Sequence, residues 1–190
     1  MNILLGIFSA FGLSASAGLN AYIPLLVIGV IAHYDPSLIK LNPPYNALAN
    51  PYVLILIGIL LIIEMLADKF PIVNHINDAI QTFVRPVAGA IAFAASTNII
   101  TGINPIVALI CGLLIAGSVH VAKSAVVRPA ITATTGGTAN VPVSVAEDVT
   151  STIISLLSIL VPIAIAILII IAIVFLLWLW ARRTSKNETA

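Results

Sequence analysis

The side chains best suited to chemistry in this chain lie within residues 123–148, KSAVVRPAITATTGGTANVPVSVAED. This stretch lies between very apolar segments, yet it contains a lysine, an arginine, two carboxylates, several threonines and a Gly-Gly step. Hydrocarbon offers no water to a charge or to a broken backbone, so such groups persist in a membrane only where protein or a wet cavity surrounds them. We therefore interpret residues 123–148 as a binding or transport site.

Further candidates lie in the last turns of two apolar segments. Glu64 and Asp68 are four residues apart on one helical face, where they either join the site or form a solvated helix end. His120 can exchange a proton near neutral pH, or can simply be hydrogen-bonded at its helix end. The complete set of candidate transport or binding residues is Glu64, Asp68, Arg85, His120, Lys123, Arg128, Thr135, Gly136, Gly137, Asn140, Glu147 and Asp148.

These residue types suit two kinds of ligand. The lysine and arginines would bind a small anion or an anionic lipid headgroup, whereas the carboxylates would bind a cation or a proton. Unwound backbone at Gly136 and Gly137, beside the threonines and Asn140, would add carbonyl or amide groups for an ion or a headgroup. Because unpaired charges are costly in hydrocarbon, we also expect ion pairs between helices. The sequence does not choose between these ligands.

The composition places the chain among integral membrane proteins. Hydrophobic residues make up 61% of the chain, charged residues 8%, and the mean hydropathy is +1.17, whereas a soluble domain has about 25% charged residues. A net charge of +1 gives no reason to expect a nucleic-acid partner. The single cysteine, Cys111, excludes an internal disulfide and a thiolate metal cluster. We expect no cofactor, and the sequence leaves metal binding open.

The elements that must position the candidate residues are helices that cross the membrane. We predict an all-α polytopic membrane protein, a single domain over residues 1–190, with about six membrane segments. Breakers such as Gly18, Asn20 and Pro24 in the first segment predict broken or re-entrant helices. The pattern of residues 71–84 predicts an interfacial amphipathic helix. The predicted membrane segments are 3–33, 52–70, 86–100, 105–127, 129–148 and 152–180.

Two pairs of similar short segments indicate a weak internal two-fold repeat. FVRPVAGAI, with Arg85 followed by Pro86, resembles VVRPAITAT, with Arg128 followed by Pro129. GLNAYIPLLV in the first segment resembles GTANVPVSV in the fifth. Paired segments interrupted by Gly and Pro are the sequence feature that best indicates a transporter binding site. Whether the repeat is parallel or inverted stays open.

The basic residues predict an orientation in the membrane. With the basic tail 182–186 in the cytoplasm, six spans place the basic residues near 69–85 and 123–128 on the same side. We therefore predict a multi-pass protein of the cytoplasmic (inner) membrane with both termini in the cytoplasm. Its expected partners are the lipid bilayer and a small ion or anionic headgroup. Small residues in segment 86–100 also permit a homo-oligomer.

Three functions fit these residues. The leading hypothesis is a small transporter or channel-like protein with a charged centre. The second is a structural or assembly protein whose charges lock helices together. The third is a membrane enzyme acting on lipid phosphate, because Lys123 followed by Arg128 and Pro129 is similar to the signature of membrane lipid-phosphate phosphatases. Since that signature is shorter here and no histidine follows Arg128 to act as the nucleophile, we regard an enzyme as the weakest alternative.

The ordered charged motifs resemble a known family. The motifs EMLADKFPIVNHINDAIQTFVRPVAGA, SVHVAKSAVVRP and SVAED, with a Thr/Gly/Asn/Pro loop before the last, resemble bacterial membrane proteins grouped as domain of unknown function 4126. This resemblance covers nearly the whole chain and implies a small polytopic inner-membrane protein without implying a substrate. On that family's polar pattern fall Glu64, Asp68, Lys69, Asp78, Arg85, His120, Lys123, Arg128, Asn140, Glu147 and Asp148.

Overall fold

Helices make up most of the described chain. A computed structural model describes residues 3–68, 71–97 and 103–187. A short 3₁₀ helix, Tyr45–Ala49, precedes the third α-helix, and a π-helical turn, Lys123–Val127, joins the fifth to the sixth. The α-helices are α1 (Ile3–Leu19), α2 (Tyr22–Tyr34), α3 (Pro51–Ala67), α4 (Pro71–Thr97), α5 (Pro105–Ala122), α6 (Arg128–Thr135), α7 (Asn140–Leu160) and α8 (Pro162–Asn187).

Within the described residues, four helical stretches are long and apolar enough to cross a membrane. They cover residues 79–96, 105–135, 140–160 and 162–179, and the second is continuous from α5 through the π turn into α6. Three further apolar helices, α1, α2 and α3, contain 17, 13 and 17 residues. These elements confirm the predicted all-α polytopic membrane fold.

Two helix boundaries differ from those of the predicted segments. Residues 128–135 extend α5 instead of belonging to a fifth segment that continues to residue 148. Pro162 divides the predicted segment 152–180, because it begins α8. Proline is favoured at the first position of a helix, where an N–H would have no partner within the helix. The residue before it, Val161, has φ −140° and ψ 66°, outside the helical region that a following proline disfavours.

The predicted interfacial helix 71–84 is part of α4, which continues through Pro86 to Thr97. Its polar side chains Asn77 and Gln81 are buried, whereas Ile80 and Phe83 are exposed. The polar face therefore points into the protein, and the structure differs from the prediction of a helix lying on the membrane surface. The side chains of residues 71–76 and 78 lie outside the described part of the chain.

Small residues allow α1, α4 and α5 to pack with their backbones in close contact. A Cβ atom added at Gly112 of α5 would lie 2.7 Å from the Cα of Ala90 on α4. The buried Ser14 of α1 donates to the carbonyl of Gly112 at 2.8 Å and to that of Gly89 at 3.2 Å. Such close approach, with polar groups satisfied across helices, is typical of helix packing in membranes.

A seam of buried serines joins α1 to α7. The Ser16 hydroxyl lies 2.7 Å from those of Ser151 and Ser155, and 2.8 Å from the carbonyl oxygen of Ser151. All three serines are fully buried. The seam holds α7 against α1, which places Glu147 and Asp148 of α7 beside the end of α1.

Candidate functional site

A buried ion pair lies at the centre of the structure, between α3 and α4. Arg85 Nη2 donates to Glu64 Oε1 at 2.9 Å, and each side chain is 1% exposed. Arg85 comes from the inward polar face of α4, whereas Glu64 lies in the last turn of α3. Because the whole pair is withdrawn from water, each charge depends on the other for its stabilisation.

The pair continues to His120 on α5. Arg85 Nη1 lies 3.2 Å from His120 Nδ1, and His120 Nε2 lies 3.2 Å from the hydroxyl of Thr82. A guanidinium can only donate, so Nδ1 must accept and His120 is neutral with its proton on Nε2. One row of hydrogen bonds thus links three helices and runs through Glu64, Arg85, His120 and Thr82.

A second group of ion pairs is built around Glu147 of α7. Lys123 Nζ lies 2.6 Å from Glu147 Oε2, and Arg128 Nη2 lies 3.4 Å from the same oxygen. Arg128 Nη2 also contacts Asp68 Oδ2 at 3.1 Å. These residues and the Glu64–Arg85 pair form the charge cluster: Glu64, Asp68, Arg85, Lys123, Arg128 and Glu147.

The π turn brings Lys123 and Arg128 to the same carboxylate. Pro129 has no N–H for the carbonyl of Ala125, and its ring would clash with that carbonyl in a regular helix. The wider turn relieves this conflict, with the N–H of Arg128 bonding to the carbonyl of Lys123. Single π turns of this kind are frequent at functional sites.

Asp68, just beyond the last residue of α3, is the most heavily hydrogen-bonded carboxylate of the cluster. Asn77 Nδ2 donates to Oδ1 at 2.8 Å, and the Ser144 hydroxyl donates to Oδ2 at 2.9 Å. Arg128 adds an ion pair to the same oxygen, with Nη2 at 3.1 Å. Together these three partners stabilise the charged form of Asp68.

Charged side chains reach both helix ends at the joint between α1 and α2, Lys123 directly and Asp148 through Asn20. Lys123 Nζ donates at 3.0 Å to the carbonyl of Leu19, the last residue of α1. Asn20 Oδ1 accepts from the N–H groups of Tyr22 and Ile23, the first two of α2, at 3.0 and 3.2 Å. Asn20 Nδ2 meanwhile donates to Asp148 Oδ1 at 2.9 Å. A cation at a helix C-terminus and acceptors at an N-terminus both suit the helix dipoles.

The structure does not bring every candidate residue to this cluster. Thr135, Gly136, Gly137 and Asn140 form the turn between α6 and α7, where Gly136 and Gly137 have φ values of 60° and 88°. Asn140 bonds to the Thr132 hydroxyl at 3.2 Å, and Thr135 and Gly136 are exposed. These residues serve the turn, because left-handed backbone favours glycine and short polar side chains. Lys69 and the side chain of Asp78 lie outside the described residues.

Several buried polar residues of the site were missing from the sequence-based set. Asn20, Asn77, Gln81 and Ser144 are all buried beside the cluster. The spacing of polar residues could have identified Asn77 and Gln81, because they lie with Arg85 at intervals of four residues on one helical face. No local pattern distinguishes Ser144, whose partner Asp68 is 76 residues away.

Some buried polar atoms of the centre have no protein partner among the described residues. They are Glu64 Oε2, Gln81 Oε1 and Arg85 Nε, two acceptors and one donor. No group of three or more His, Cys, Asp or Glu side chains in the described ranges is arranged to hold a metal ion. Unsatisfied groups of both kinds suit water or a small polar ligand rather than an apolar one.

Comparison with known proteins gives a family without an assigned activity. The family model described as Domain of unknown function (DUF4126) matches residues 7–182. Searches of curated proteins and of solved structures find no match.

Proposed function

We propose that this chain, which belongs to the DUF4126 family, is a small multi-pass membrane transporter or channel-like protein that moves an ion or small solute past its charge cluster. One observation carries this proposal: at the α1–α2 joint, Lys123 binds the C-terminal end of α1, and Asn20, which caps α2, is hydrogen-bonded to Asp148. Helices interrupted near buried polar groups form the substrate and ion sites of many transporters. A purely structural network would not need to end at a helix joint.

The alternative of a structural or assembly protein is favoured by the pairing within the cluster. Each of Arg85, Lys123 and Arg128 contacts a carboxylate at 3.4 Å or less. Paired charges between helices hold a unique packing arrangement in some proteins. Transport and scaffolding therefore predict different results when one charge is removed without loss of shape.

Glu147→Gln is the variant that separates the two functions. If the protein is a transporter, this variant in proteoliposomes should lose most of the flux of ions or protons seen with the wild type between about pH 5 and pH 8. It should still fold, because the amide can accept from Lys123 and Arg128 and because Arg128 keeps its contact with Asp68. Radiotracer uptake and a pH-sensitive dye measure the flux, and circular dichroism in detergent measures the stability.

The matched control is Asp35→Asn, the same carboxyl-to-amide change in the exposed loop after α2. It should leave flux unchanged. A structural role would be favoured if Glu147→Gln unfolds at a much lower temperature than the wild type and neither protein, when folded, shows flux. Flux that persists undiminished in Glu147→Gln would contradict a role for the charge cluster in transport.

The ion pairs weigh against the lipid-phosphate alternative. Lys123 and Arg128, the two cations of the phosphatase-like signature, both contact Glu147. A phosphate would have to displace this carboxylate, whose negative charge repels it. We therefore do not extend the proposal to an enzyme.

We further propose the cytoplasmic membrane as the location, with the C-terminal end of α8 in the cytoplasm. Trp178 near this end lies 3.9 Å below the guanidinium of Arg182, an aromatic and basic pairing typical of a membrane interface. A reporter enzyme that is active only in the cytoplasm, fused after residue 190, should be active. A fusion of a reporter that requires export should be inactive, and the opposite pattern would reverse the assignment.

A further inference from the structure

Asp148 differs from the other carboxylates of the centre in its partners. Among the described residues, Glu64, Asp68 and Glu147 each contact an arginine or a lysine, but no lysine, arginine or histidine nitrogen lies within ion-pair distance of Asp148. Its carboxylate instead accepts one hydrogen bond, from Asn20 Nδ2. A membrane carboxylate without a counter-charge is by default a functional residue.

This carboxylate lines a groove between α2, α3 and α7. The groove has a volume of about 370 Å³, and most of its wall is aliphatic, including Ile23, Leu61 and Met65. The hydroxyl of Thr152, also in the wall, donates to the main-chain carbonyl of Asp148 at 2.9 Å. Of the described residues that line this groove, Asp148 alone is charged.

The charged groups around Asp148 come from three elements. Asp68 approaches from the end of α3, Lys123 from the π turn and Glu147 from the preceding position on α7. Lys123 is bound to Glu147 and to the carbonyl of Leu19, and Asp68 is bound to Arg128. The nearby charges are therefore engaged with one another, and the neutral amide of Asn20 approaches from the joint before α2.

We propose that Asp148 is the residue that takes up and releases a transported proton, with the groove between α2, α3 and α7 as its access route. This inference rests on the transport function proposed above and names its substrate. A proton needs one carboxyl oxygen, whereas a metal ion needs several oxygen ligands, which an aliphatic wall does not supply. The Asn20 bond survives in both states, because Asn20 donates to a carboxylate oxygen or to the carbonyl oxygen of the acid.

Labelling with N,N′-dicyclohexylcarbodiimide tests the assignment. The reagent adds as a whole to a protonated carboxyl in apolar surroundings and leaves a stable N-acylurea. In phosphatidylcholine liposomes containing the full chain, mass spectrometry of peptides should find the adduct on Asp148 and should find less of it as the pH is raised. Glu147, next in the chain but held by Lys123, should stay unlabelled. Asp148→Asn should form no adduct and carry no proton flux, and Asp148→Glu should recover labelling.

The outcomes separate this inference from the proposed function. A pH-dependent adduct on Asp148 without flux of any ion would support proton binding and overturn transport. Proton flux that continues in a folded Asp148→Asn protein, with no adduct on the wild type, would overturn the role of Asp148 and leave transport standing. Protection of Asp148 by sodium at constant pH, with flux that requires sodium, would overturn the proton as substrate.

Discussion

Replacing Arg85 with methionine is expected to lower the free energy of unfolding by about 3 to 5 kcal/mol. Methionine has a similar length but no charge, so Glu64 would keep its burial and lose its partner. Glu64 is buried, and Oε2 has no partner in the described structure to take over from Arg85. Chemical unfolding in detergent, followed by circular dichroism, measures this loss.

The double variant Glu64→Met with Arg85→Met provides the decisive comparison. Removing both charges eliminates the uncompensated carboxylate, so the double variant should be more stable than Arg85→Met alone. Arg182→Met is the matched control, since this arginine is exposed on α8 and stacks on Trp178, a contact worth about 0.5 to 1 kcal/mol at an exposed site. Equal losses from Arg85→Met and Arg182→Met, or simple additivity in the double variant, would show that the buried pair has no special importance.

The second large effect is expected from Gly112→Ala, at the contact between α4 and α5. The added methyl group would lie 2.7 Å from the Cα of Ala90 and from the Cβ of Phe93, closer than van der Waals contact permits. Backbone cannot rotate away as a flexible side chain can, so the two helices must separate. We expect a loss of about 1 to 3 kcal/mol in the free energy of unfolding, measured by the same detergent unfolding.

Gly58→Ala on α3 is the control for helix propensity. A Cβ atom at Gly58 meets nothing within 4 Å, so the substitution should be neutral or should stabilise by about 0.5 to 1 kcal/mol. The two variants differ only in what surrounds the new methyl group. If Gly112→Ala is as stable as Gly58→Ala, then α4 and α5 are not held in this close contact.

Both experiments concern the part of the molecule that also carries the proposed function. Close packing of α1, α4 and α5 holds Arg85 against His120, and the serine seam holds α7 against α1. The charges around the α1–α2 joint can adopt their geometry only on such a rigid frame. We therefore expect Gly112→Ala to reduce flux as well as stability.

Residue composition was sufficient to predict the class of protein and most of the charged residues of the centre. Hydropathy belongs to each residue, so long apolar runs identify membrane helices without knowledge of their neighbours. The cost of a charge in lipid is equally independent of the fold, which is why Glu64, Asp68, His120 and Lys123 could be singled out. The weak internal repeat stays a prediction, because the two Arg-Pro units lie in different settings, one inside α4 and one after the π turn.

Only the tertiary structure decided which residues meet. Asn20 and Asp148 are 128 positions apart, and no local pattern links them. Periodicity showed that one face of residues 71–84 is polar, but an amphipathic helix can face water or a polar interior, and packing against α1 and α5 turned that face inward. The Thr/Gly/Asn loop has the composition of a site, but among the described residues its side chains bond only within α6, the turn and the start of α7. Composition determines which groups need a partner in a membrane, whereas distance after folding determines which partner each group finds.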